Sequence, residues 1–110
     1  MPQHPAKLRL SQEQTRALLD DYMQYRFRQS CSPEDLAKKA GVKRETTTRL
    51  MQQQPVNDGE LTRVAHALGV SAKLLREICG LEEMPADMLE TLQHFMAQTL
   101  KPKARERGAH

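Results

Sequence analysis

The sequence predicts an all-α fold, and three observations carry that expectation. Apolar residues recur at helical spacing in one segment after another, as in Leu61, Val64, Ala65 and Leu68. The segments are bracketed by cap signals, with Ser11, Ser32, Asn57 and Ser71 at their starts and Gly41, Gly69 and Gly80 at their ends. Strand-forming runs are missing. At 110 residues with 38% hydrophobic content the chain is the size of one domain, able to bury a modest core without metal or disulfide staples. Six helices are expected, at 11–29, 33–40, 44–53, 58–68, 72–79 and 86–100, with no sheet.

In chain order, residues 1–10 contain Pro2 and Pro5 and are expected to form a flexible arm whose Lys7 and Arg9 can touch phosphates. Ser11 followed by Gln14 has the form of a capping box, so the first helix starts there, with Leu18, Leu19, Tyr22, Met23 and Tyr25 on its apolar face. Ser32-Pro33-Glu34-Asp35 is a second start: a cap, a proline in the first turn, and carboxylates at the positive end of the dipole. Gly41 then supplies the left-handed residue of a tight turn, and Val42 buries in the angle between two helices. The third helix, from Lys43, turns only Leu50 and Thr47 inward. Gln52 to Val56 form its exit loop, and Asn57 and Ser71 cap the next two helices.

Pro85 opens a last helix whose stripe of Met88, Leu89, Leu92, Phe95, Met96 and Leu100 is too broad for a lone surface helix and must bury against something. Residues 101–110 read as a disordered basic tail. The domain organisation expected is thus an arm over 1–10, a helical domain over 11–81, a dimerisation helix over 84–100, and the tail. The expected core is Leu18, Tyr22, Tyr25, Leu36, Ala37, Val42, Leu50, Leu61, Val64, Leu68, Leu75 and Ile78.

Charge is unevenly distributed. Residues 1–56 carry ten Lys/Arg against six Asp/Glu, net +4, whereas residues 57–84 carry three against five, net −2. The basic part contains the third helix. There is no long apolar run for a membrane span and no apolar segment behind the N-terminal charges, so the expected location is cytoplasmic, and nucleoid-associated only if the residues below bind DNA. Cys31 and Cys79 lack the paired spacing of a metal or redox site and read as small buried hydrophobes. His66 and His94 form no recognisable ligand pair. With no carboxylate pair, nucleophile with its base, or phosphate-cradling glycine loop, the expectation is a non-enzyme without metal or cofactor.

A helix that enters the DNA major groove needs long donors near its N-terminus and short polar groups behind them. Lys43, Arg44, Glu45, Thr46, Thr48 and Arg49 meet that description. Phosphate contacts are expected from Ser32, Gln52, Gln53, Gln54, Asn57 and Arg26, at helix starts and loops around the third helix.

In the stretch PEDLAKKAGVKRETTTRL, with small Ala37 at the closest approach of two helices, and in LTRVAHALGVSAKLL further on, the chain resembles the Cro/phage-repressor (XRE-like) helix-turn-helix family from about Tyr22 to Leu75. The resemblance implies a five-helix lambda-repressor-like domain, here with an additional C-terminal helix. It also implies base contacts from Arg44, Glu45 and Arg49, with Thr46 and Thr48 nearer the backbone or a thymine methyl. Three positions depart from the family pattern. Thr47 stands where an aliphatic residue is usual, and its hydroxyl is expected to bond the carbonyl one turn back. Pro33 replaces a common glutamine. Met51 replaces a glutamate that would pair with Arg26, which is then expected at Glu34 or at a phosphate.

The sequence thus predicts a transcriptional regulator, a repressor, that binds a palindromic double-stranded DNA operator as a homodimer through the helix at 43–53 and the stripe of the last helix. The alternative is a protein-interaction module, antitoxin-like or adaptor, in which that last helix holds a second protein and DNA binding is secondary.

Overall fold

The computed structural model describes residues 6–29 and 32–108, with side chains through Thr99. Among these residues six helices carry the fold: α1 (Gln12–Phe27), α2 (Pro33–Ala40), α3 (Arg44–Met51), α4 (Asp58–Leu68), α5 (Ala72–Ile78) and α6 (Ala86–Gly108). Their starts are chemically explicit. Ser11 and Ser32 close reciprocal capping boxes with Gln14 and Asp35, while Asn57 and Ser71 accept from the backbone amides of Glu60 and Leu74. Each cap satisfies a donor that the first helical turn leaves without a partner. Gly41 and Gly69 end α2 and α4 with φ of 72° and 77°. Arg28 does the same for α1 at φ 65°, two residues before the expected end, and its amide donates to Gln24 O.

Two expectations at the chain ends need correction. The arm over 1–10 is not free where it is described. Lys7–Leu8 (β1) and Met84–Pro85 (β2) form a short antiparallel ladder, Lys7 opposite Pro85 and Leu8 opposite Met84, so a small sheet exists where none was predicted. Burial explains it: Leu10 and Met84 are almost wholly enclosed, and the alternation Lys7, Leu8, Arg9, Leu10 turns both leucines toward the core. Four alternating residues beside two prolines make a weak strand signal. At the other end α6 continues through 101–108, the stretch expected to be a disordered tail. Lys, Ala, Arg and Glu are good helix formers and a helix already nucleated extends readily, but Pro102 in the interior removes one backbone hydrogen bond and works against the extension.

The core lies where α1, α4 and α5 meet the inner faces of α2, α3 and α6. Leu18, Leu19, Leu36, Leu50, Leu61, Val64, Leu68, Leu75 and Ile78 are all buried in it, each contributing on the order of 1.5–3 kcal/mol. Of the residues expected inside, Val42 is half-buried and Tyr25 is 43% exposed.

The stripe on α6 divides. Leu89 and Met96 are buried in the chain's own core, where α6 packs on α1, and Leu92 is partly buried against the same cluster. Leu89 and Met96 therefore cannot face a second subunit as predicted, whereas Met88 and Phe95 remain exposed. Position on the helix is the reason: residues 89 and 96 lie about 80–100° around the axis from 88, so a broad stripe presents two faces. The side chain of Leu100 lies outside the described residues.

Candidate functional site

α3 is held by an inward set at positions 46, 47 and 50. Leu50 is buried, and Thr47 Oγ1 donates to Arg44 O at 2.9 Å and to Pro33 O at 2.6 Å. The bond one turn back was expected; the bond across to α2 was not. With it a hydroxyl, rather than an aliphatic group, ties the starts of α2 and α3 together. The turn between the two helices is closed by Val42 N donating to Ala37 O at 3.0 Å, and Arg63 reaches from α4 to Gly41 O.

The geometry of an α-helix then fixes what points outward. Arg44, Glu45, Thr48, Arg49 and Gln52 follow the i, i+1, i+4, i+5, i+8 pattern, and with Gln54 they line an open groove. Thr46 is not among them. It is only 4% exposed, at the floor of a cleft between α3 and the start of α4, so its placement on the outer face is corrected. Lys43 lines that cleft from the rim and serves as the N-cap of α3.

Electrostatics sharpen the picture. Glu45 and Arg49 pair at 3.2 Å, both well exposed, an arrangement worth only about 0.3–0.5 kcal/mol and readily exchanged for another partner. Among the described residues the side chains of Lys43 and Arg44 have no ion-pair partner. α3 also starts with no side-chain cap, in contrast to α1, α2, α4 and α5, so its first amide hydrogens have no side-chain acceptor. Such a helix start attracts an anion.

The groups expected to anchor phosphates divide sharply. Gln52 and Gln54 are exposed beside the outer face. Ser32 and Asn57 lie near it, but their side chains are engaged as caps, Asn57 Nδ2 also donating to Glu60 at 3.0 Å. Arg26 is elsewhere: its Nε donates to Ala67 O at 3.3 Å at the C-terminal end of α4, where a cation complements the helix dipole. Among the described residues it forms no ion pair with Glu34, and it sits at the end of α4 opposite the Asn57 end that adjoins α3.

Gln53 is the largest correction. Its φ of 61° is left-handed, and this turns the side chain inward, where Nε2 donates to Leu10 O and to Thr15 Oγ1. Thr15 in turn donates to Ile78 O at 2.6 Å, and Arg9 donates to Gly80 O at 2.7 Å. A clasp thus joins the exit of α3, the N-terminal segment, α1 and the end of α5. Gln53 is therefore not free to meet a phosphate, and Arg9, though exposed, commits one of its N–H groups to the clasp.

Sequence reasoning missed Arg16. With Asp20, Met23, Pro33, Thr48, Met51 and Gln52 it lines a second groove directly beside the α3 face. In the sequence Arg16 is only one of several polar residues in the first helix, because which polar side of that helix adjoins α3 is a matter of tertiary packing.

Cys79 is fully buried, and burial pushes its thiol up to about 12. In a Cys31→Ser background it should therefore resist a disulfide reagent at pH 8 in the folded protein and react at once in denaturant; rapid modification of the folded variant would contradict this burial. Cys31 lies outside the described residues. Among those described, no group of three or more His, Cys, Asp or Glu can hold a metal ion, and no helix is long and apolar enough to cross a membrane.

Fold and site together define a small, mostly helical protein that presents one exposed, partly cationic helix. No protein-family model, curated protein or solved structure matches the chain.

Proposed function

We propose that this protein is a sequence-specific DNA-binding transcriptional regulator, a repressor, in which α2, its turn and α3 form the helix-turn-helix of a lambda-repressor-like domain. The observation that carries this reading is the outward stripe Arg44, Glu45, Thr48, Arg49 and, at the C-cap, Gln52 on α3, exposed except at half-buried Thr48 and free of apolar residues. A helix of this kind fits a major groove. Arg44 can donate in bidentate fashion to guanine, and Glu45 can accept from cytosine once Arg49 exchanges it for a base or phosphate. Lys43, Arg16 and Gln54 flank the stripe and suit phosphate contacts, as do the uncapped amides at the start of α3. One such domain reads few base pairs. Two copies on a palindromic operator, with reading helices one turn apart at about 34–36 Å, would supply the rest, and the place of action would be the nucleoid.

Selection of bound duplexes from random DNA tests this. Arg44→Ala should relax the preference at one base position and weaken the best site by about 5- to 150-fold, the equivalent of about 1–3 kcal/mol. Arg16→Ala should instead weaken all duplexes alike and flatten the salt dependence. An unchanged consensus in Arg44→Ala would remove the proposed reading face.

The exposed apolar cluster Tyr25, Met88 and Phe95 favours a second reading, an adaptor or antitoxin-like module that binds another protein. DNA binding that fails to weaken as salt rises would favour that reading.

A further inference from the structure

A groove of about 360 Å³ runs between α1 and α3, with Pro33, the first residue of α2, as its third wall. Helical spacing builds the two long sides. Arg16, Asp20 and Met23 stand at i, i+4 and i+7 on α1, and Thr48, Met51 and Gln52 at i, i+3 and i+4 on α3. The outward face of α3 carries no apolar residue, but this groove is lined for the most part by apolar atoms, with Met51 and Pro33 half-buried and still within reach of a ligand. Methionine side chains adapt to the shape of what they contact. A concavity of this size, apolar inside and with a few polar groups at its rim, is the form that small-molecule sites take.

The rim says what fits. Arg16 is exposed and has no ion-pair partner among the described residues. Asp20 stands one turn further along α1, and its Oδ2 accepts from Gln24 Nε2 at 2.8 Å, which leaves Oδ1 open to a donor. The groove thus offers one available cation, one available carboxylate oxygen and an apolar floor. A plain anion would meet Arg16 but leave Asp20 beside a like charge, and a plain hydrocarbon would use neither. A molecule that satisfies all three carries a carboxylate for Arg16, an ammonium for Asp20 and a large apolar side chain for the methionines.

We propose that this groove binds a free α-amino acid with a large apolar side chain, and that the bound amino acid competes with DNA for Arg16. Binding needs only the groove, whereas the competition rests on the DNA reading. Thr48 and Gln52 line both this groove and the outward face of α3, so an occupant of the one lies against the other.

L-Phenylalanine or L-leucine, titrated into the isotope-labelled full chain, should move the backbone amide resonances of Arg16, Asp20, Thr48, Met51 and Gln52 together, with a dissociation constant of about 1 mM or below for a ligand of this size. Phenylpropionate, which lacks the ammonium, and phenethylamine, which lacks the carboxylate, should each bind about 3- to 10-fold more weakly than phenylalanine. Arg16→Ala removes an exposed side chain and should erase the advantage of phenylalanine over phenethylamine with far-ultraviolet circular dichroism unchanged. Met51→Gln should weaken both ligands. Shifts that are absent or scattered elsewhere, equal binding of the three phenyl ligands to the parent, or the same shifts from inorganic phosphate alone would each overturn the site. On DNA, phenylalanine should weaken binding of the selected duplex by the parent and have no further effect in Arg16→Ala; an unchanged parent affinity overturns the competition. Phenylalanine held in the groove of a protein that selects no duplex would leave the site standing and remove the regulator reading. A selective DNA binder whose groove takes neither amino acid would do the reverse.

Discussion

Thr15→Val should lower the unfolding free energy by about 2–4 kcal/mol, although it removes no volume from the core and exposes nothing. Thr15 is completely buried, and its hydroxyl has two jobs: it donates to Ile78 O at 2.6 Å and accepts from Gln53 Nε2 at 3.1 Å. Ile78 is the last residue of α5, so its carbonyl has no partner within the helix, and valine would leave it facing a methyl group. Gln53 would keep Leu10 O but lose its second acceptor. Thr15→Ser preserves both bonds and forfeits only a methyl, about 1 kcal/mol. Urea unfolding of the three proteins decides it. Val and Ser variants of equal stability would show that the hydroxyl contributes little.

Gly80→Ala should cost a comparable 2–4 kcal/mol, for a different reason. Gly80 has φ of 72°, where any side chain is strained by about 1–2 kcal/mol. A methyl there would also overlap Gln53 Nε2 and stand 2.9 Å from its Cδ and 3.1 Å from Leu10 O. Glutamine is flexible, but this one can retreat only by releasing Leu10 and Thr15. Gly41→Ala separates the two contributions: it shares the φ of 72° yet would meet no atom within 4 Å, so it should lose only the backbone strain. Adding Gln53→Ala to Gly80→Ala should restore part of the loss, a coupling of about 1 kcal/mol in a double-mutant cycle. Strict additivity would mean that the methyl and the glutamine never meet.

Both substitutions bear on α3, whose exit the clasp fixes. A variant that stays folded but loses Gln53's bonds frees the loop carrying Gln54, and under the proposed function the resulting loss of DNA affinity should fall equally on all sequences, unlike that of Arg44→Ala.

The helices were legible because their signals are local. A serine or asparagine cap, a proline in the first turn and a left-handed glycine each act within a few residues, so α2 and α4 match their expected spans and α3, α5 and the start of α6 lie within about two residues of theirs. The alternation of outward and inward residues on α3 was legible for the same reason, except at Thr46. One helical position separates a residue on the rim from one beneath it, and only the approach of α4 decides which side of that line Thr46 occupies.

By itself, then, the sequence determined the mostly helical character, the caps, most of the core and the polar outer face of α3, since each depends on signals within a single helix. Tertiary structure alone decided the rest. Gln53 and Arg26 look like surface donors until partners distant in the chain, Leu10, Thr15 and Ala67, claim them. The N-terminal segment looks unattached until Leu10 finds the core and β1 finds β2. The stripe of α6 looks like one interface until α1 covers Leu89 and Met96 and leaves Met88 and Phe95 outside. A side chain's type is written in the sequence, but whether it serves the interior or the surface depends on which distant groups arrive beside it, and that is settled only when the helices pack.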